Sequence, residues 1–185
     1  MEKDAEKNSA LREIYDYVEL FVTAVLIVAF FFTLVFRLST VDGSSMEKTL
    51  FSGASLLVSG LFYEPQRGDI VVIHDMDIDN GKAIVKRVIG KSGDVVSVNK
   101  DGVYVNGKKL SEDGSQGYAV DFTVPYGQPY HYQVASYIVP EGQLFVMGDH
   151  RSVSYDSRAF GCVDERSVVG KVLFRLWPFS SIGTV

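Results

Sequence analysis

The sequence predicts a mainly β protein in which a single N-terminal transmembrane helix precedes an antiparallel β domain. Residues 20–36 carry no charge and are almost entirely apolar. After residue 40 the pattern changes to short runs with a period of two, separated by turn sequences. No strong amphipathic helix of four turns is evident in that part of the sequence, which favours an antiparallel β domain over an alternating α/β one.

Composition excludes several classes of protein. A chain of 185 residues has room for one domain and an appendage, and 46% hydrophobic with 22% charged residues is not typical of disorder. The net charge of −5 provides no basic surface, so nucleic acid is not an expected partner. The single cysteine, Cys162, excludes an intrachain disulfide and a thiolate metal site. The widely spaced histidines His74, His131 and His150 lack a ligand motif and are interpreted as structural or surface residues, so we expect neither a metal nor a cofactor.

The apolar run has three possible interpretations. At about 1.5 Å per residue it is roughly 25 Å long, near the short end of what spans a bilayer core. A buried core helix would need protein on every side, which so small a chain can hardly supply. A cleavable signal peptide would begin with a positive segment, and this one begins with an acidic segment, although residues 41–43 keep a weak cleavage site open. A single transmembrane anchor is the best account.

The cations around the run favour one orientation. Lys3, Lys7 and Arg12 precede it, whereas Arg37 and Lys48 follow it. Because acidic residues count little in the positive-inside rule, this distribution mildly favours a cytoplasmic N-terminus. We therefore expect three parts: a cytoplasmic segment at residues 1–19, a single-pass anchor in the cell membrane at 20–36, and an extracytoplasmic domain at 37–185.

The strands of this domain are predicted from β-branched and aromatic runs between turn signals. The candidates are residues 55–59, 69–74, 83–89, 95–98, 102–105, 118–124, 130–139, 144–147 and 168–177. Residues 95–110 are predicted to form three short strands joined by two tight turns. Residues 111–132 are expected to leave the β core.

A candidate nucleophile follows the apolar run, in the sequence Gly43-Ser44-Ser45-Met46. A serine hydroxyl needs a base to attack a carbonyl, and the histidines lie in no recognisable nucleophile context. A neutral lysine is the alternative base. By themselves these residues are also typical of an ordinary polar loop.

Lys86 is the candidate base, and it lies in an apolar run next to Arg87. Alternate residues of a strand face opposite sides, so we expect one of these two cations to point toward apolar surroundings. Burial would lower the lysine pKa from about 10.4. The competing interpretation is two cations that extend from an edge strand into solvent.

A third segment, residues 147–158, is dense in small, polar and charged residues. Asp156 and Arg158 are placed to form an ion pair, and the hydroxyls of Ser154 and Ser157 are candidates to hydrogen-bond near a buried amine. The alternative is a solvated loop with surface ion pairs of little energetic value.

Together these segments resemble the type I signal peptidases, in particular the shorter, Gram-positive-type members. Five segments match in the family order between residues 41 and 179. They are Gly43-Ser44-Ser45-Met46 with Thr49-Leu50, Arg67-Gly68-Asp69-Ile70-Val71, Val85-Lys86-Arg87-Val88-Ile89-Gly90 with Gly93-Asp94, Gly148-Asp149 through Asp156-Ser157-Arg158, and Gly170-Lys171-Val172 with Trp177-Pro178-Phe179.

The resemblance implies a Ser–Lys dyad endopeptidase with Ser45 as nucleophile and Lys86 as general base. It implies that Ser154 orients the Lys86 amine and that the oxyanion is met by the backbone N–H of Ser45. Some members add a hydroxyl at the position of Gly43, so here Ser44 or the backbone must suffice. The supporting residues are an Asp156–Arg158 ion pair, with Asp149 and Arg151 shaping the loop. The implied substrate-binding residues are Val41, Asp42, Gly43, Ser44, Ile84, Val85 and Met147.

The implied activity is removal of N-terminal signal peptides from exported preproteins, after small residues in an Ala-x-Ala pattern, so the expected partners are preproteins and the lipid bilayer. Lys48 and Ser92 stand where the family usually has proline, and His150 stands where it usually has asparagine. Two alternatives remain: a specialised Ser–Lys peptidase that processes one pilin-like substrate or itself, and a catalytically silent homologue that only binds signal peptides.

Overall fold

A long N-terminal helix, α1, spans Glu2–Val35 in the computed structural model, which describes residues 2–99, 102–110 and 135–185. Its segment Arg12–Thr33 is long and apolar enough, by length and composition, to cross a membrane. None of this segment is buried, which argues against the core-helix alternative. The helix ends one residue before the predicted apolar run does, and Phe36 already begins the first strand. The chain divides into two units, Met1–Arg37 and Leu38–Val185.

The second unit consists mainly of antiparallel strands, as predicted. The strands are β1 Phe36–Thr40, β2 Ser55–Ser59, β3 Ile70–Ile73, β4 Ile84–Lys91, β5 Val95–Asn99, β6 Gly102–Val105, β7 Lys108–Lys109, β8 Ala135–Ile138, β9 Gln143–Met147, β10 Val163–Asp164, β11 Val168–Trp177 and β12 Gly183–Thr184. A short helix, α2, spans Ser157–Phe160. Three 3-10 turns lie at Asp79–Gly81, Glu165–Ser167 and Phe179–Ser181.

The strands form two sheets within the described residues. The larger sheet has the order β1-β2-β11-β3-β4-β9-β10, with β12 paired to β11, and the smaller sheet has the order β7-β6-β5-β8. The smaller sheet includes the predicted run of three strands over residues 95–110, because Asn106-Gly107 supplies a tight turn with positive φ at both residues.

Most predicted strands are confirmed, with ends that lie within two residues of the predicted ones where both are described. The prediction for residues 118–124 and the first part of the 130–139 prediction lie outside the described residues. The strands β1, β10 and β12 and the helix α2 were not predicted. β10, β12 and α2 have only two to four residues, which give a weak pattern, and β1 continues directly from the apolar run.

Strand β4 is an interior strand of the larger sheet, between β3 and β9. The interpretation of Lys86 and Arg87 as cations that extend from an edge strand into solvent is wrong, because both side chains are buried. One of the two cations was expected to point toward apolar surroundings, and both side chains are less than 5% exposed. Pairing with β9 begins at Arg87, whereas pairing with β3 extends back to Ile84. At Ile84, Val85 and Lys86, β4 therefore has a strand neighbour on only one side among the described residues.

Candidate active site

The segment between β1 and β2 holds Ser45 half-buried at the surface of the β unit. Val41, Met46 and Leu50 on either side of it are buried in a hydrophobic cluster with residues of β2, β3 and β11. The Leu50 N–H also donates to the Met46 carbonyl at 2.7 Å, which closes a turn after the serine. Burial of these apolar side chains fixes a loop that its polar residues alone would leave free.

Lys86 approaches Ser45 from strand β4. Its Nζ donates to Ser45 Oγ at 2.8 Å, across 41 positions of sequence. Burial lowers the pKa of Lys86, and the carboxylates of Asp156 and Asp79 oppose that shift only in part. A lysine held in this way is more readily neutral, and over the same distance a neutral amine can accept the hydroxyl proton.

Arg87, the next residue, faces away from Lys86 and forms a buried ion pair with Asp149. Its Nε and Nη2 donate to the two Asp149 oxygens at 2.8 and 2.6 Å, and its Nη1 donates to the Gly68 carbonyl. The Thr49 hydroxyl donates to the same carboxylate at 2.6 Å. Asp149 therefore connects the base-bearing strand with the loop that carries Ser45.

A second ion pair organises residues 148–158. The Arg158 guanidinium donates to both oxygens of Asp156 at 2.7 and 2.8 Å, and the Gly148 N–H also donates to this carboxylate. Arg151 Nε donates to the Gly148 carbonyl at 2.8 Å. Burial lowers the pKa of Arg151 to about 10, which leaves its guanidinium charged at neutral pH. The solvated-loop interpretation of this segment is therefore wrong, because Asp156 and Arg151 are buried.

Gly148 lies where the loops meet. A Cβ at this position would overlap both Ser154 Oγ and the Ser45 carbonyl oxygen, so only glycine fits without a shift. Ser154 is buried, but its Oγ has no hydrogen-bond partner among the described residues. The expected hydrogen bond between Ser154 and Lys86 is thus not present, because the hydroxyl lies against Gly148. The Ser157 hydroxyl accepts a backbone N–H of β9.

Ser45 and Lys86 line a cleft of about 430 Å³. Five of the residues expected to bind substrate also line it: Asp42, Gly43, Ser44, Ile84 and Val85. The backbone N–H of Ser45 has no acceptor among the described residues. The hydroxyl of Ser45 and the buried amine of Lys86 thus meet in one cleft.

The structure places the other two expected substrate residues elsewhere. Val41 and Met147 are buried in two different hydrophobic clusters and do not line the cleft. The backbone of Val41 is also occupied, since it exchanges hydrogen bonds with Gly53 and Ala54. A residue adjacent to a site in sequence can point into the core instead, as these two do.

The expected site residues leave out six residues that line the cleft, namely Ile78, Asp79, Lys82, Ala83, Val153 and Tyr155. The first four lie in the turn before β4 or directly after it, and the turn itself was recognisable from its Asn-Gly pair. The other two lie within the 147–158 segment. The role of Arg87 as the partner of Asp149 was also missed, although its place beside Lys86 was a signal that a second buried cation needs a carboxylate.

Of the three histidines, only His150 lies near the nucleophile within the described residues. His150 Nδ1 is 3.2 Å from the Ser44 carbonyl oxygen and 3.3 Å from a Glu47 carboxylate oxygen. His74 is exposed, and His131 lies outside the described residues. Among the described residues, no group of three or more His, Cys, Asp or Glu side chains is placed to hold a metal ion.

The chain is similar to known proteins over most of its length. The family model described as "Signal peptidase, peptidase S26" matches residues 14–177. Signal peptidase IB of Staphylococcus aureus is 40% identical over 151 residues, which is 76% of this chain and 78% of that protein. Signal peptidase I of Bacillus caldolyticus is 38% identical over 174 residues, which is 84% of this chain and 87% of that protein. A crystal structure of a signal peptidase I from Enterococcus faecalis V583 is 36% identical and covers 60% of this chain and 97% of its own, with a TM-score of 0.47.

The family match covers most of the chain, including both residues of the Ser45–Lys86 contact. The relatives are 38–40% identical over three quarters or more of both sequences. The enzyme class is therefore that of signal peptidase I, and the chain belongs to the signal peptidase family, peptidase S26.

Proposed function

We propose that this chain is a membrane-anchored serine endopeptidase that removes N-terminal signal peptides from exported preproteins, with Ser45 as nucleophile and Lys86 as general base. The observation that carries the proposal is the 2.8 Å contact between Lys86 Nζ and Ser45 Oγ, made by a lysine whose pKa is lowered by burial. Serine catalysis requires a nucleophile and a base within hydrogen-bond reach, with the base held in place by its surroundings.

In the proposed mechanism, neutral Lys86 takes the proton of Ser45 Oγ as the oxygen bonds to the scissile carbonyl carbon. The Ser45 N–H and the Ser44 hydroxyl stabilise the negative charge on the carbonyl oxygen. The carbon–nitrogen bond then breaks, and the proton on Lys86 passes to the leaving amine. Water attacks the resulting ester with Lys86 as base, and the proton returns to Ser45 as the ester bond breaks.

The substrate segment would bind in the cleft as an added strand beside β4. Among the described residues, residues 84–86 have a strand neighbour only on the β3 side, so their other backbone edge can pair with an extended peptide. Ile84 and Val85 also line the cleft, and their apolar side chains suit the small apolar residues that precede a signal peptide cut.

The two buried ion pairs would support this chemistry without touching substrate. Asp149 accepts hydrogen bonds from Thr49, four residues after the nucleophile, and from Arg87, one residue after the base. Asp156 holds Arg158 and the Gly148 N–H, and Arg151 binds the Gly148 carbonyl.

The helix α1 supports the proposal of a single-pass anchor in the cell membrane, with the lipid bilayer as one partner. The proposed activity makes preproteins the other partner. The segment Arg12–Thr33 has a mean hydropathy of 2.0, which suits a bilayer core. We propose residues 1–19 as cytoplasmic, 20–36 as the anchor and 37–185 as extracytoplasmic. An anchored nucleophile would then meet peptide bonds that emerge from the same membrane.

The test is cleavage of a preprotein with an Ala-x-Ala site by the full chain in liposomes. We expect cleavage after the last small residue, and a loss of at least about 10³-fold in kcat for Ser45→Ala and for Lys86→Met. Ser180→Ala and Lys108→Met are matched controls, because both side chains are exposed and lie outside the cleft. Activity that survives Lys86→Met would remove the proposed base, and wild-type protein that binds the preprotein without cutting it would identify a silent homologue.

A further inference from the structure

His150 contacts the nucleophile loop at two successive carbonyl groups. Its backbone N–H donates to the Ser45 carbonyl at 3.0 Å, and its ring Nδ1 lies 3.2 Å from the Ser44 carbonyl oxygen. Its own carbonyl accepts the N–H of Ser154 at 3.1 Å. One residue therefore joins the nucleophile loop to the segment that begins at Gly148.

The ring can make this contact only as a donor. The second neighbour of His150 Nδ1 is a Glu47 carboxylate oxygen at 3.3 Å, and both a carboxylate and a carbonyl oxygen accept hydrogen bonds. We therefore assign a proton to Nδ1, where it lies between the two oxygens.

The Ser44 carbonyl and the Ser45 N–H belong to the same peptide unit. In a trans peptide these groups lie in one plane and point in opposite directions, so a donor that holds the carbonyl also fixes the direction of the N–H. The Ser44 carbonyl is held by the Glu47 N–H at 3.0 Å and by His150. A hydrogen bond to the carbonyl also polarises the amide and strengthens its N–H as a donor.

We propose that His150 is a positioning residue for the oxyanion donor: its Nδ1–H holds the Ser44 carbonyl so that the Ser45 N–H faces the carbonyl oxygen of the substrate. This inference rests on the proposed function, in which Ser45 N–H meets the oxyanion. The family resemblance gave His150 no role, and histidine stands where the family usually has asparagine. Asparagine Nδ2, like histidine Nδ1, is two bonds from Cβ, so an asparagine N–H would occupy the same place as the Nδ1–H of His150.

The test compares His150→Asn with His150→Leu in the full chain in liposomes, because asparagine and leucine have the same shape and only asparagine carries the donor. Each variant is measured for kcat and KM on the Ala-x-Ala preprotein. Each is also measured for its affinity for a peptide aldehyde ending in alanine and for the corresponding peptide alcohol. The aldehyde carbon bonds to Ser45 Oγ, the serine proton passes to Lys86 and the aldehyde oxygen becomes an oxyanion, whereas the alcohol binds without a covalent step.

We expect His150→Leu to lose about tenfold in kcat and about tenfold in affinity for the aldehyde, the size of one hydrogen bond. Its KM and its affinity for the alcohol should stay unchanged, and His150→Asn should lie within about twofold of wild type. His74→Leu, which removes an exposed imidazole, is the control. If thermal unfolding shows that the leucine variant is not folded, His150→Ala replaces it with the same expectation.

The proposal is overturned if His150→Leu retains kcat within about twofold, if it weakens aldehyde and alcohol equally, or if asparagine restores nothing. Failure of the proposed function has a different result. In that case the wild-type chain neither cuts the preprotein nor binds the aldehyde more tightly than the alcohol, and no oxyanion donor remains for His150 to position.

Discussion

The buried ion pair between Arg87 and Asp149 should contribute to stability in a way that only a pair of substitutions reveals. The Arg87 and Asp149 side chains are 4% and 0% exposed, and two parallel hydrogen bonds join them. Removing one partner leaves a charge in the interior, which costs about 3–5 kcal/mol of unfolding free energy. We therefore expect a loss of that size for Arg87→Met and for Asp149→Leu. The double variant should lose about 3 kcal/mol less than the sum of the two.

The assay is urea unfolding of the full chain in detergent, followed by the fluorescence of the single tryptophan, Trp177. Arg166→Met is the matched control, because its ion pair with Asp164 is exposed and should contribute nothing measurable. Single variants that lose less than about 1 kcal/mol, or a double variant that equals the sum, would refute the reasoning. Both single variants should also lower kcat, because the ion pair joins strand β4 to Thr49 in the nucleophile loop through Asp149.

Two further predictions follow from the pKa of Lys86, which burial lowers and the nearby carboxylates partly restore. Between the lowered pKa and the ordinary value of 10.5, the folded protein binds fewer protons than the unfolded chain, so the free energy of unfolding should rise with pH across that window. Lys86→Met should abolish this rise in unfolding curves measured at several pH values, and an unchanged slope would count against a buried neutral amine. Asp79→Asn removes a carboxylate that raises the Lys86 pKa, so the acidic limb of the kcat/KM profile should move to lower pH. A movement to higher pH, or an equal movement in the exposed control Asp77→Asn, would contradict the assignment.

The sequence predicts the strands well because their signals are local. Strands β2 and β11 have the predicted bounds, since each is a β-branched or aromatic run between turn residues. The same reasoning fails for Val41 and Met147, which were expected at the substrate and are buried in the core. Which of two neighbouring residues faces the cleft depends on how sheet and loop pack, and a motif does not contain that information.

The candidate site was predicted in composition but not in geometry. Ser45 and Lys86 were expected to meet and they do, whereas the expected bond from Ser154 to the amine is not formed. The partners of Asp149 and the contacts of His150 were not foreseen, because they join residues that are 62 to 106 positions apart. Contacts of that separation follow from the order of the strands in the sheet, and the sequence pattern gives only the strands.

Strand β4 buries two successive cations, Lys86 and Arg87, on opposite faces, and their different chemistry explains their different surroundings. A guanidinium keeps its charge at neutral pH however deeply it is buried, so Arg87 needs a carboxylate in direct contact, and Asp149 supplies one with two hydrogen bonds. A lysine can lose its proton instead, and Lys86 contacts the neutral hydroxyl of Ser45 rather than a carboxylate. Had a carboxylate taken the place of that hydroxyl, the amine would stay charged and could not accept a proton. Two features therefore make Lys86 suitable as a base. Among the described residues its amine has no direct contact with a carboxylate, and the neighbouring Arg87–Asp149 ion pair holds the strand in place.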